Sequence, residues 1–459
     1  MDLNKLYSPK RTGRAEQPEA HEHRSSYRRD FDRIVFSSAF RRLQNKTQVF
    51  PLPGSIFVHN RLTHSLEVSS VGRSLGALAG YFIKNKFAKT LTDESKIFYE
   101  YNLPDVTAAA CLCHDIGNPA FGHSGEDAIA EYFKSEESSL RKHFSDGEWA
   151  DFINFEGNAN AVRCLASEQK GKEHGGLGLT CTTLASIIKY PCPSSKIDRK
   201  ILRSRKFGYL CADKHIFDMI TAAAGMKRID EESCLRHPFV WLVEAADDIC
   251  YNIIDLEDAH RLRIIEHDEC VGVLCSLVED LSPDTITEIK DRLYKIEDKN
   301  TKISYLRAKS ISSLTMRTIE LFSAQIDKIL DGSPDTSLYD MIRNEVRSLK
   351  EIETFSLSNI YNHRSVVEIE NAGYNIMHGL LGHFVPAILK NAPDRRKIEQ
   401  KALELIPKQF IFDTESKYMR VLGVIDYISG MTDNYAIDLY KKIKGIDPGL
   451  TNLTIAFSK

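Results

Sequence analysis

Two imidazoles and two carboxylates, His64, His114, Asp115 and Asp247, stand where a polar side chain needs a charged partner. His114 and Asp115 are adjacent in Cys113-His114-Asp115-Ile116-Gly117-Asn118, where a small apolar helical run gives way to a loop. Backbone leaving a helix no longer forces neighbouring side chains apart, so an imidazole nitrogen and a carboxylate oxygen there can face one ion. His64 interrupts the apolar rhythm of Arg61-Leu62-Thr63-His64-Ser65-Leu66-Glu67, and Asp247, Asp248 and Asp255 interrupt the hydrophobic run VWLVEAADDICYNIIDLEDA. Buried imidazoles and carboxylates without partners are costly, and one cation would satisfy several at once. Such a mixed nitrogen and oxygen set suits Mn²⁺, Fe²⁺, Co²⁺ or Zn²⁺ rather than Ca²⁺. Positions left open on the ion would take water or a phosphate oxygen and neutralise charge at phosphorus. Cys111 and Cys113 form a C-x-C pair with no matching second pair, which disfavours a thiolate zinc site.

Asp247, Tyr251 and Asp255 are spaced i, i+4, i+8 and share one face of their helix within about 80° of arc. That face offers a ligand, an aromatic wall and a second acceptor, while Asp248 points away and is expected to make a structural hydrogen bond. Shortly after Asp115, Phe121-Gly122-His123-Ser124-Gly125-Glu126 sets His123 and Glu126 at i, i+3 as a helix begins. This spacing suits a general acid–base histidine held in orientation by a carboxylate.

The elements that must position these groups are helical. Apolar residues recur at helical spacing through most of the chain, and the fold class expected is mainly α, with a small β element at most. Helices are predicted over 27–43, 61–83, 104–113 and 238–256, with Ser124 capping another. The stretch PLPGS at 51–55 breaks the chain, residues 134–155 are expected to end in a loop, and the Gly-rich 169–180 reads as a flexible connection. A hint of sheet lies around 353–360, and loops are expected near 282–283, 332–334 and 392–393. The organisation expected is an extended or mobile basic segment over 1–26, a core over 27–264 and a C-terminal helical region over 265–459.

Hydrophobic residues make up 42% and charged residues 27% of the 459, which excludes wholesale disorder. No run approaches the ~18 apolar residues of a membrane span and no signal peptide opens the sequence, so no membrane partner and a cytoplasmic location are expected. Ten scattered cysteines read as reduced thiols. The net charge of −3 provides no global attraction to nucleic acid, but residues 1–50 hold eleven Lys and Arg against six Asp and Glu, a cluster that suits phosphates.

The set His64…His114-Asp115…Asp247 resembles the HD-domain metal-dependent phosphohydrolases. More narrowly, the chain is similar to the bacterial deoxyguanosine triphosphate triphosphohydrolases, and its core to the vertebrate SAM- and HD-domain dNTP hydrolase. The blocks carrying the likeness are YRRDFDRIVFSSAFRRLQNKTQVFPL, RLTHSLEV, CHDIGNPAFGHSGE, NFEGNANAVR, LVEAADDICYNIIDLEDA and YISGMTDNYA. They cover most of 27–260 and a stretch near 425–436, whereas 265–420 follows the pattern only loosely.

The resemblance implies an HD-type helical core, with additional C-terminal helices that complete the pocket and the subunit contacts. It implies metal ligation by His64, His114, Asp115 and Asp247, and acid–base work by His123 with Glu126. It places Gln48 at the deoxyribose end of a substrate, Arg61 on phosphate, Tyr251 and Asp255 on the sugar and its 3′-hydroxyl, and Asn158, Lys189 and Tyr190 in the polar pocket. The activity implied is cleavage of a dNTP, dGTP preferred, at the α-phosphorus to deoxynucleoside and tripolyphosphate, with Mn²⁺, Mg²⁺ or Fe²⁺ as cofactor. A homo-oligomer, hexameric or tetrameric, and a single-stranded DNA or nucleotide effector are implied by the same likeness. The residues alone also admit an HD hydrolase of another nucleotide phosphoester, or a nucleic-acid-binding regulator with a structural metal.

Overall fold

Asn60 starts the longest helix of the N-terminal half. Its side-chain oxygen accepts the Thr63 N–H at 3.0 Å while Thr63 Oγ1 accepts the Asn60 N–H at 3.0 Å, a reciprocal cap that launches Arg61–Lys86. The computed structural model describes residues 1–13, 24–50, 58–167 and 175–447; the expected break at 51–55 and the first half of the Gly-rich connection, 169–174, lie outside them.

Gly72, Gly76 and Gly80 recur every fourth residue and form a stripe facing the Leu103–Cys113 helix and the turn before it. A Cβ on Gly76 would sit 2.2 Å from Thr107 Oγ1, and one on Gly80 1.9 Å from the Tyr99 carbonyl oxygen, so only hydrogen fits at this crossing. The Leu103 helix begins with Pro104 in its first turn, buries Ala108, Ala109 and Ala110, and ends at Cys113. The close crossing fixes where its last residue delivers His114 relative to His64. The Val240–Arg261 helix, buried over most of its circumference, packs on the Arg61 helix and on Lys299–Asp331.

The architecture is helical, and among the described residues pairing of β type is limited to isolated bridges, such as Thr47 with Asn60. Two apolar cores result. One surrounds the Arg61, Leu103, Val240 and Lys299 helices; the other joins Gly122–Ser135 and Asp146–Ile153 to Arg364–Leu389, Lys417–Ser429 and Asp433–Lys444. Ile116 belongs to the first core and Ala120 to the second, so the short loop after His114 spans them. Among the described residues no helix is long and apolar enough to cross a membrane.

Several local expectations are corrected. The helix predicted over 27–43 is two, Ser26–Val35 and Ser38–Arg42, because Ser37 Oγ accepts the Phe40 N–H at 3.1 Å and restarts the helix as a cap. Ser124 caps nothing: the helix begins at Gly122, after Phe121 in the left-handed conformation. The 134–155 stretch does end in a loop, at Asn154 and Phe155, but is mostly helical before it, with Ser145 and Glu148 forming a reciprocal cap for Asp146–Ile153. The hinted sheet at 353–360 is helix, Arg347–Ser356 running into a π-turn over Leu357–Tyr361. There Leu349, Ile352, Ser356 and Ile360 fall on one buried face at helical spacing.

Candidate active site

Three helices meet at Asp247. His64 lies in the first turn of the Arg61 helix and is 1% exposed, His114 follows the end of the Leu103 helix, and Asp247 lies in the third turn of the Val240 helix. His64 Nε2 is 3.1 Å and His114 Nε2 3.4 Å from the same Asp247 Oδ1. His114 Nδ1 donates to the Cys111 carbonyl at 2.6 Å, which leaves Nε2 as the ring nitrogen that faces Asp247. One ligand atom from each of the three lies within 4.8 Å of the others, a donor set that fits a divalent cation. Burial alone would lower the His114 pKa; Asp115 and Asp247 outweigh it and raise the value to about 9. The site is thus built to hold positive charge between two carboxylates.

Asp115, expected as a fourth ligand, stands beside this group. Its Oδ2 accepts Arg61 Nη1 at 2.7 Å and its Oδ1 accepts Asn118 Nδ2 at 2.6 Å, with Oδ1 3.6 Å from His114 Nε2. Two strong donors hold the carboxylate there, and it is absent from the group of three.

A cavity of about 540 Å³ opens on these groups. His114, Asp115, Asp247 and Tyr251 line it together with Arg61, His123 and Glu126. Gln48, Asn158, Lys189 and Tyr190 line it as well. Gln48 Oε1 is buried without a hydrogen-bond partner, an acceptor left open for a ligand. Lys189 Nζ pairs with Glu244 at 3.1 Å, and the Tyr190 hydroxyl accepts Arg205 Nε at 3.1 Å.

Glu126 does not orient His123, contrary to expectation. Its Oε1 accepts the Gly157 N–H at 2.8 Å, and burial together with neighbouring Glu156 pushes its pKa up to about 8. Desolvation lowers the His123 pKa, and the cations Arg61 and Lys206 lower it further, which keeps the imidazole neutral at pH 7.

Asp255 also differs from its sequence pattern. Asp255 is buried and its Oδ2 accepts the Tyr361 hydroxyl at 2.8 Å; it does not line the cavity. Tyr361 does, stacked on Tyr251 with centroids 5.6 Å apart and planes 8° from parallel. Sequence reasoning missed Tyr361, a single tyrosine directly after the 353–360 stretch that hinted at sheet. It also missed Glu156 and Lys206, an ion pair at 2.7 Å on the cavity wall. Glu156 stands inside the block NFEGNANAVR and was findable there; Lys206 follows no pattern.

Comparison with known proteins places these residues in context. The family model described as HD domain matches residues 61–185, and that of a phosphohydrolase-associated domain matches residues 339–442. The second match falls largely in the region whose sequence pattern reads as loose. The chain is 38% identical to a deoxyguanosinetriphosphate triphosphohydrolase-like protein of Synechocystis sp., across 97% of this chain and 100% of the relative. A protein of the same name from Pseudomonas aeruginosa is 35% identical, across 97% and 99% respectively. A deoxyguanosinetriphosphate triphosphohydrolase of Klebsiella pneumoniae is 28% identical, across 91% and 93%.

Proposed function

The chain belongs to the deoxyguanosinetriphosphate triphosphohydrolase-like family of HD-domain proteins, and from that premise we propose that it hydrolyses deoxynucleoside triphosphates at the α-phosphorus. The products are deoxynucleoside and tripolyphosphate, and dGTP is the preferred substrate. The observation that carries this reading is the meeting of His64, His114 and Asp247 beside a cavity also lined by Arg61, Lys189 and Lys206. A triphosphate brings about four negative charges, which such cations offset through charge-assisted hydrogen bonds.

In this reading His64, His114 and Asp247 hold a divalent ion, Mn²⁺, Mg²⁺ or Fe²⁺, with Asp115 as the fourth ligand. When bound, the ion supplies charge neutralisation at the phosphorus under attack. Arg61, oriented by Asp115, grips phosphate, and Lys189 adds a second cation. His123, kept neutral by desolvation and the nearby cations, moves the proton of the reaction, and Glu126 supports the loop behind it through Gly157. Gln48 directs its open acceptor toward the deoxyribose end, and Asn158 and Tyr190 complete the polar wall. Tyr251, fixed by its stacking on Tyr361, packs on the sugar and leaves no room for a 2′-hydroxyl.

The test is product identification. Purified protein with Mn²⁺ or Mg²⁺ is incubated with each dNTP and with GTP, and the products are separated by ion-exchange chromatography. Deoxyguanosine with intact tripolyphosphate is expected from dGTP; pyrophosphate or orthophosphate as the first product overturns the assigned bond.

A further inference from the structure

Phe121 has φ 63°, in the left-handed region that bulky side chains rarely adopt, and it immediately precedes the helix that carries His123 and Glu126. Two contacts from the C-terminal third of the chain hold it there. Its N–H donates to Asp433 Oδ1 at 3.1 Å, and its ring seats against Gly373 of the Arg364–Leu389 helix, where a Cβ would approach the ring to 2.5 Å. The other Asp433 oxygen accepts the Thr47 N–H at 2.8 Å, one residue before Gln48.

The same corner holds the middle of the loop. The Lys46 ammonium donates to the Asn118 carbonyl at 2.5 Å and to the Ser429 carbonyl at 2.9 Å. Asn160 Nδ2 donates to the Gly117 carbonyl at 2.7 Å and to Ser429 Oγ at 3.3 Å. The turn from Ser429 to Asp433 therefore touches both the loop after Asp115 and the segment of Gln48.

Acidic residues in the first turn of a helix ordinarily face solvent and serve the helix dipole. Asp433 is 6% exposed, its helix is already capped by Thr432, and both its oxygens are used by other segments.

We propose that Asp433 is a positioning residue: by accepting the Phe121 and Thr47 amides it sets the 115–122 loop and the Gln48 segment against the cavity. The inference rests on the function proposed above only for the identity of the reaction disturbed. A carboxylate is acceptor-only and suits two N–H groups; the amide of Asp433→Asn turns a donor toward one of them and breaks that contact.

The experiment compares wild type, Asp433→Asn and Gly373→Ala by hydrogen–deuterium exchange and by steady-state kinetics with dGTP and Mn²⁺. In Asp433→Asn, exchange in peptides covering 47–50 and 116–123 is expected to speed by about tenfold or more while the interior of Arg61–Lys86 stays protected. A kcat about tenfold lower or more accompanies it, with partial recovery on adding Phe121→Gly, which adopts φ > 0 freely. Gly373→Ala, pressing on the Phe121 ring with Asp433 intact, is expected to loosen the 116–123 peptide alone. Wild-type exchange at both peptides in Asp433→Asn overturns the proposal. So does a loss of protection that reaches Arg61–Lys86 equally, which marks Asp433 as a residue of the fold only. If wild type turns over no dNTP, the functional reading falls, and the exchange pattern still decides the role of Asp433.

Discussion

The Tyr361 hydroxyl donates a 2.8 Å hydrogen bond to Asp255 Oδ2, joining a π-turn of the C-terminal region to the helix that carries Asp247. Burial pushes the Asp255 pKa up to about 8, despite the lowering effect of the Tyr361 bond. The folded chain then holds a proton that the unfolded chain releases near pH 4. This group's stabilising share is complete below that pH and is lost as pH rises through about 8. Asp255→Asn removes the titration and keeps an acceptor for Tyr361. Its melting temperature relative to wild type is expected to rise steadily from pH 5 to pH 8 in differential scanning calorimetry; a constant difference would contradict the assignment.

Removing a ligand should act on metal and turnover together. His114→Ala and Asp247→Asn are expected to weaken Mn²⁺ binding by about 100-fold and to lower kcat by about 10³-fold or more, checked by titration calorimetry and rate assays. Chelation of wild type should abolish activity, and added Mn²⁺ should restore it.

Arg61 serves Asp115 and the cavity at once. Arg61→Lys keeps the charge and loses the planar fork, so kcat/KM is expected to fall by about tenfold. Arg61→Ala should cost about 100-fold, the scale of a charged hydrogen bond with its buried partner left unpaired. Initial rates across dGTP concentrations separate the two variants.

Tyr251→Ala opens the wall assigned to exclude a 2′-hydroxyl. The ratio of kcat/KM for dGTP over GTP is expected to fall by about tenfold or more in competition assays with both nucleotides.

The glycine stripe makes a stability prediction independent of chemistry. Gly76→Val places a branched side chain where Thr107 Oγ1 would stand 2.2 Å from the Cβ. Overpacking of this kind costs about 1–3 kcal/mol or more, read by urea denaturation.

The sequence made the centre of the site legible because a buried histidine or aspartate in an apolar rhythm stands out. His64, His114 and Asp247 each interrupt such a rhythm, and the helices carrying them begin close to where the apolar spacing predicts, though the Arg61 and Val240 helices run on past their expected ends. The orientations that tertiary structure imposes were not legible. Asp115 accepts Arg61, a donor 54 residues away that the fold brings to it, as well as Asn118 of its own loop. Glu126 bonds Gly157, a partner 31 residues away, where spacing suggested His123. Tyr361 was hidden because it directly follows the 353–360 stretch that hinted at sheet, whereas the chain folds that stretch into a helix and a π-turn. Asp433 stands unmarked within YISGMTDNYA, and only the fold shows which amides it accepts.

The direct test of the account is a crystal of the protein soaked with Mn²⁺ and measured at an X-ray energy where manganese scatters anomalously. The account predicts an anomalous peak within bonding distance, about 2.0–2.3 Å, of His64 Nε2, His114 Nε2 and an Asp247 oxygen. A peak seated elsewhere, with those three side chains still paired to one another, would contradict it.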